Sequence, residues 1–139
     1  YVKLKKTKDL TQVAKLETLC KKSDIICVCV NLTSETHNLI NKKQFSIMKN
    51  GVIFINSSRG EVVNEKNLLK FLKNKKIRSS FLDVLANENK QNFKKNRLIN
   101  YANYNDNLYI SPHIAGLTYD SETKAFRYSI KLLKKHEKK

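Results

Sequence analysis

Three apolar runs of this chain stop at residues able to do chemistry: Ser58-Arg59-Gly60, Asp83 and Pro112-His113. A guanidinium can fork onto a carboxylate through two parallel hydrogen bonds, so Arg59 can orient an acid substrate; by residue type alone it is equally a surface arginine. Histidine exchanges a proton near neutrality, which makes His113 a candidate general acid or base, the alternative being a structural or solvent-facing ring. Glu88, shortly after Asp83, can hydrogen-bond a histidine and favour its protonated form, or be a plain loop carboxylate.

Residues so far apart in sequence meet most simply at the rim of an open parallel sheet, where ligands bind in the crevice beyond the carboxyl ends of the strands. Four segments predict such strands: Ile25-Ile26-Cys27-Val28-Cys29-Val30, Val52-Ile53-Phe54-Ile55, Ser80-Phe81-Leu82-Asp83-Val84 led in by Ile77, and Leu108-Tyr109-Ile110. The first is continuously apolar and rich in branched residues, which predicts burial on both faces. Between them, Thr11 to Lys22 predicts a helix carrying Val13, Leu16 and Leu19, and Asn41 to Lys49 a short one with Phe45 and Met48 inward, stopped by Asn50-Gly51. Asn64 is the expected cap of a third helix, with Glu65 at its positive end and an inward stripe of Leu68, Leu69, Phe71 and Leu72. From Ala86 to Asn107 the periodicity fades, predicting a long surface loop with one turn around Phe93 to Leu98. Thr118 to Lys135, with Ala125, Tyr128, Leu132 and Leu133, predicts a closing helix. The expected fold class is α/β: a Rossmann-like doubly wound parallel sheet of about four strands, joined by right-handed crossovers, with helices covering its faces.

Composition narrows the partners. At 139 residues, 40% of them apolar, the chain matches one domain. No run approaches the roughly 20 apolar residues of a membrane span, and Tyr1-Val2-Lys3-Leu4-Lys5-Lys6 lacks a signal peptide's apolar stretch, so a cytoplasmic protein is expected. The first residue is not Met, and the chain reads as a fragment. The net charge of +16 comes from lysines scattered through every segment alongside abundant Asn, without an aromatic-rich basic stripe. Solvated faces account for that better than a nucleic-acid partner. Cys20, Cys27 and Cys29 show neither zinc spacing nor a disulfide framework; they are expected to be reduced, inert small hydrophobes, with no metal.

The joint order of motifs carries more than any single one. Ser23-Asp24-Ile25-Ile26, Asn31-Leu32-Thr33-Ser34-Glu35-Thr36, Met48-Lys49-Asn50-Gly51, Asn56-Ser57-Ser58-Arg59-Gly60, Leu82-Asp83-Val84 and Ser111-Pro112-His113-Ile114-Ala115-Gly116 follow one another as in a single family. The chain resembles the nicotinamide-cofactor-binding domain of D-isomer-specific 2-hydroxyacid dehydrogenases. The resemblance implies that Arg59 holds the substrate carboxylate and carbonyl, that His113 is the acid/base at the keto or hydroxyl oxygen, and that Glu88 pairs with that histidine. It further implies that Asp83 receives the nicotinamide carboxamide and that Val30, Asn31, Thr36, Ser57, Ser58, Ala115 and Gly116 lie along the cofactor. NAD is the implied cofactor, with NADP open, and a small 2-hydroxy or 2-keto acid the implied substrate; a homodimer is the implied assembly. A cofactor-sensing corepressor of the same fold is the alternative, since such proteins retain the same triad.

Asn31 and Ser34 stand where the family usually has proline, as does Asn89, which should soften loops without deleting a reacting group. No Gly-x-Gly-x-x-Gly occurs; the family places that turn, and the acidic residue reading the ribose, upstream of Tyr1. Residues 1–139 are therefore expected to be a partial dinucleotide-binding domain without its glycine-rich first half or the substrate domain, and not to turn over substrate alone.

Overall fold

The computed structural model describes residues 15–88 and 95–136. In chain order these form α1 (Leu16–Lys22), β1 (Ile25–Val28), α2 (Lys42–Ile47), β2 (Val52–Asn56), a 3-10 turn (Gly60–Val62), α3 (Glu65–Lys73), β3 (Ile77–Leu82), α4 (Arg97–Ala102), β4 (Leu108–Ile110) and α5 (Tyr119–His136). The four strands make one parallel sheet in the order β1-β2-β3-β4, with Ile26 opposite Phe54, Phe54 opposite Ser80 and Ser80 opposite Leu108.

Strand order explains where the helices go. Right-handed crossovers between parallel strands that advance steadily in one direction all place their helices on the same face of the sheet. Ile26, Val28, Val52, Phe54, Ile77, Leu82 and Leu108 share that face and form one buried cluster with Cys20 of α1, Phe45 of α2, Leu68, Phe71 and Leu72 of α3, and Leu98 of α4. Phe45 anchors it, edge-on to Phe54 at 5.3 Å between ring centres and tilted against Phe71 at 5.6 Å. The helices are held at their starts as well as by packing. Asn41 and Gln44 form a reciprocal capping box on α2, and Asn64 accepts from the Asn67 amide at 3.0 Å on α3.

The opposite face corrects one expectation. β1 is not buried on both sides: Ile26 and Val28 are in the core, whereas Ile25 is 60% exposed and Cys27 is exposed. Among the described residues the row Cys27, Ile55, Phe81 and Tyr109 faces away from α1 to α4, with Phe81 and Tyr109 stacked at 4.8 Å. Cys27 and Cys29 are therefore not core hydrophobes; their sulfurs lie 3.5 Å apart on the surface, whereas Cys20 is fully buried.

Two helices differ from their expected form. α1 starts at Leu16; the expected residues 11–14 lie outside the described residues. The turn expected around Phe93 to Leu98 is a helix shifted toward the C-terminus, capped by Asn96, whose side chain accepts from the Leu98 amide, with Leu98 in the core; Phe93 lies outside the described residues. Its brevity hid its period. The closing helix forms as expected, but Phe126, Tyr128 and Leu133 are all more than half exposed; the Leu132 side chain lies outside the described residues. No helix among the described residues is long and apolar enough to cross a membrane.

Candidate active site

Each strand delivers its polar residues at its carboxyl end. At the end of β2, Asn56 is buried, and its side chain ties down the turn that follows: Oδ1 accepts from the Ser58 amide at 3.1 Å and the Ser58 hydroxyl at 2.9 Å, while Nδ2 donates to the Arg59 carbonyl at 3.0 Å. That leaves Arg59 exposed at the rim, one guanidinium nitrogen donating to the Ser58 carbonyl at 2.6 Å and its other donors uncommitted among the described residues.

At the end of β4 the chain makes a tight turn about Pro112, with the His113 amide donating back to the Ser111 carbonyl at 3.0 Å. His113 has φ +56°, a left-handed conformation costing an L-residue roughly 1–2 kcal/mol. Compensation comes from the end of β3. The buried Asp83 accepts from the Ser111 hydroxyl at 2.6 Å and the Ile114 amide at 2.9 Å on Oδ1, and from the Ala115 amide at 2.9 Å on Oδ2. On the ring itself, His113 Nδ1 meets Glu88 Oε2 at 2.8 Å. An ionised carboxylate only accepts, so Nδ1 carries the proton of that bond and Nε2 is the nitrogen left for other work.

Burial pushes the Asp83 carboxyl up, but the hydrogen bonds from Ser111, Ala115 and Ile114 outweigh it and hold the group below its ordinary value of 3.8. A carboxyl lowered in the folded state stabilises the fold above its unfolded value, and that contribution is lost as pH falls through the lower folded value. Asp83→Asn turns a donor toward amides that need an acceptor. It should cost about 1–3 kcal/mol at neutral pH, measured by urea denaturation, and the gap between the two proteins should close as the solution is acidified below the ordinary carboxylate range. A gap independent of pH would show that the charge on Asp83 contributes nothing.

Seven of the expected residues fall into two clefts that share Arg59, and Asp83 lines a third with Glu88 and His113. Arg59, Gly60, Glu61, Glu88 and His113 line the first; Val30, Asn31, Ser57, Ser58 and Arg59 line the second. Residues from β1, β2, β3 and β4 thus reach one rim. Thr36 stands apart. Its hydroxyl donates to the Asn31 carbonyl at 2.6 Å and accepts from the Thr33 amide at 2.7 Å, so it closes the loop after β1 and does not line the cleft among these residues. Ala115 and Gly116 are exposed just past His113.

Sequence reasoning passed over Asn56 and Ser111 as residues with roles of their own. A signal was available for each, a polar residue closing an apolar run; Asn56 bonds its near neighbours Ser58 and Arg59, whereas the partner of Ser111 is Asp83, brought to it by the sheet. Gly60 was also passed over. A Cβ there would sit 2.0 Å from the Leu85 carbonyl carbon and 2.1 Å from the Ala86 nitrogen, so only glycine lets the Arg59 turn lie against the loop carrying Glu88.

The residues present fit the reactive half of a nicotinamide dinucleotide. Ser57 and Asn31 offer exposed donors and acceptors in one cleft, and three of the roughly four acceptor positions of Asp83 are taken, leaving one for an amide donor.

Comparison with known proteins agrees with this fold. Residues 1–115 match the family model of the D-isomer specific 2-hydroxyacid dehydrogenase, NAD binding domain. Glyoxylate/hydroxypyruvate reductase B of Enterobacter sp. (strain 638) is 47% identical over 73 residues, which is 52% of this chain and 22% of that protein. D-lactate dehydrogenase from Aquifex aeolicus, solved with NAD and lactic acid, superposes with a TM-score of 0.70 at 32% identity, covering 88% of this chain and 40% of that one. A D-isomer specific 2-hydroxyacid dehydrogenase from Xanthobacter autotrophicus Py2, solved with NADPH and MES, gives a TM-score of 0.64 at 32% identity, over 72% of this chain and 30% of that one. The chain spans less than half the length of each of these relatives. None of the three is a corepressor. Motif order, sheet topology and the family match converge: the chain belongs to the D-isomer specific 2-hydroxyacid dehydrogenases, through their NAD binding domain.

Proposed function

We propose that the intact protein is an NAD-dependent oxidoreductase that interconverts a small D-2-hydroxy acid and its 2-keto acid. The observation that carries this reading is one cleft holding both Arg59 and the His113–Glu88 pair. Arg59 supplies a bidentate anchor for the substrate carboxylate and fixes which way the neighbouring carbonyl points. His113, with Nδ1 engaged by Glu88, holds a proton on Nε2 for the keto oxygen in reduction and takes it back from the hydroxyl in oxidation. Glu88 steadies the charged ring and sets its orientation, and the guanidinium and imidazolium together stabilise the negative charge that develops on oxygen. When bound, the nicotinamide cofactor supplies or accepts the hydride.

On this reading Asp83 offers its remaining acceptor position to the carboxamide, while Val30, Asn31, Ser57 and Ser58 line the cofactor's path. Thr36 serves that path by closing the Asn31 loop, and Ala115 and Gly116 present backbone where the nicotinamide lies. NAD is the favoured cofactor, and the NADPH-bound relative keeps NADP open. The chain is then the second part of the cofactor domain, with the glycine-rich turn and the substrate domain supplied by further sequence. We also assign the intact protein to the cytoplasm as a homodimer, the latter supported by the apolar side chains that α5 leaves in solvent.

The test is an assay of the intact protein with NADH and with NADPH against a panel of 2-keto acids that includes glyoxylate, hydroxypyruvate and pyruvate. Cofactor oxidation dependent on at least one acid is expected. Cofactor binding without turnover of any would favour a cofactor-sensing protein.

A further inference from the structure

Three consecutive amides of the loop after β3 each end on a carboxylate. Leu85 donates to Glu88 Oε1 at 2.5 Å, Ala86 to Glu65 Oε1 at 2.6 Å and Asn87 to Glu61 Oε1 at 3.2 Å. The second oxygen of Glu65 accepts from Asn96 Nδ2 at 3.0 Å. Asn96 is the cap of α4, so one carboxylate bonds both Ala86, shortly after β3, and the residue that starts α4.

We propose that Glu65, assisted by Glu61, is a positioning residue for the acid/base pair, holding the Leu85–Glu88 loop in the one conformation that brings Glu88 to His113. The proposal rests on the dehydrogenase reading of the site and deepens it. Glu61 and Glu65 belong to the same stretch as Arg59, directly beyond Gly60, whose α-carbon backs onto Leu85 and Ala86. The segment that presents the anion-binding guanidinium therefore also sets the partner of the proton-transferring ring.

Two features argue for more than ordinary loop packing. The loop contains Asn87 at φ +60°, a left-handed conformation that asparagine tolerates better than most residues, and the Asn87 amide is the one that Glu61 receives. Glu65 sits against its surroundings: burial pushes its carboxyl up, the bonds from Ala86 and Asn96 pull it down, and the nearby Glu61 and Glu88 push it up again, for a net rise. A glutamine could accept from Ala86 without that charge. Only a carboxylate offers acceptors to both donors at once, because a glutamine has one acceptor oxygen and would turn its amide donor toward Asn96 Nδ2.

The experiment uses the intact protein and two readouts. In NMR spectra the hydrogen-bonded Nδ1 proton of His113, identified by its loss in His113→Gln, should be visible in the wild type. It should be lost to solvent exchange in Glu65→Ala and in Glu88→Ala, and persist, weakened, in Glu65→Gln. In kinetics Glu65→Ala should lower kcat by about tenfold with KM for the keto acid changed far less, since Arg59 remains. In a Glu88→Ala background it should lower kcat no further. An Nδ1 proton unchanged in Glu65→Ala but lost in Glu88→Ala, or full additivity of the two substitutions, overturns the proposal. Should Glu65→Ala fail to fold, Glu65→Gln and Glu61→Gln carry the same comparison, and an unchanged Nδ1 proton in both overturns it equally. A wild-type protein that turns over no keto acid overturns the dehydrogenase reading instead, and the NMR comparison still judges the loop.

Discussion

His113→Ala in the intact protein should lower turnover of its keto acid by roughly 10²–10⁴-fold while leaving cofactor binding nearly unchanged. The size follows from what is lost. The ring is held through Nδ1 by Glu88 at 2.8 Å, so its other nitrogen is the pre-oriented donor of the cleft. Alanine removes that donor and leaves the Glu88 carboxylate without its partner in the cleft that also holds Arg59. An uncompensated negative charge there opposes both an anionic substrate and the alkoxide that forms from it, so KM for the acid should rise together with the fall in kcat. Cofactor affinity should be spared, because Val30, Asn31, Ser57 and Ser58 line the adjoining cleft, which His113 does not line. The measurement is steady-state kinetics paired with a direct cofactor titration. Turnover within a factor of a few of the wild type would remove His113 from the chemistry.

Gly60→Ala should be the most damaging change outside the reacting groups. Its Cβ would lie 2.0 Å from the carbonyl carbon of Leu85, 2.1 Å from the nitrogen of Ala86 and 2.4 Å from the oxygen of Leu85, all of them backbone atoms that no rotamer change can move. The Arg59 turn and the Glu88 loop must separate, at a cost above about 4 kcal/mol, enough to consume much of a small domain's stability. The other two glycines are the controls. Gly51→Ala meets open space and suffers only from φ +79°, a cost of roughly 1–2 kcal/mol. Gly116→Ala, with no atom near and no left-handed backbone, should stay within about 0.5 kcal/mol of the wild type. Chemical denaturation of the three variants orders them. A Gly60→Ala protein as stable as Gly116→Ala would mean that the two loops do not touch.

Secondary structure was largely legible because its causes are local. The branched runs at Ile53 and Ile110 lie in strands, Asn64 caps α3, and Leu68, Phe71 and Leu72 bury the stripe that their spacing implies. α4 was misplaced because six residues are too few for a helical period to stand out among Asn and Tyr. Double burial was wrongly expected of β1 because hydrophobicity reports what a strand tolerates, whereas the number of covered faces depends on the direction in which later strands are added. The hydroxyls of Thr36 and Ser58 point to the same limit. The family resemblance marks them as positions along the cofactor, yet both make bonds within their own turns.

By its own order of residues, the chain determined a parallel α/β sheet, the polar residues at its carboxyl edge and the family to which they belong. Periodicity, capping and motif succession are all written in near neighbours. The tertiary structure alone decided that Glu88 reaches His113 across 25 positions of sequence, that Asp83 holds the turn carrying that ring, and that Glu65 receives the Ala86 amide. Those are hydrogen bonds between segments that only the sheet brings together, and a hydrogen bond depends on distance and direction in space, to which separation along the chain is no guide.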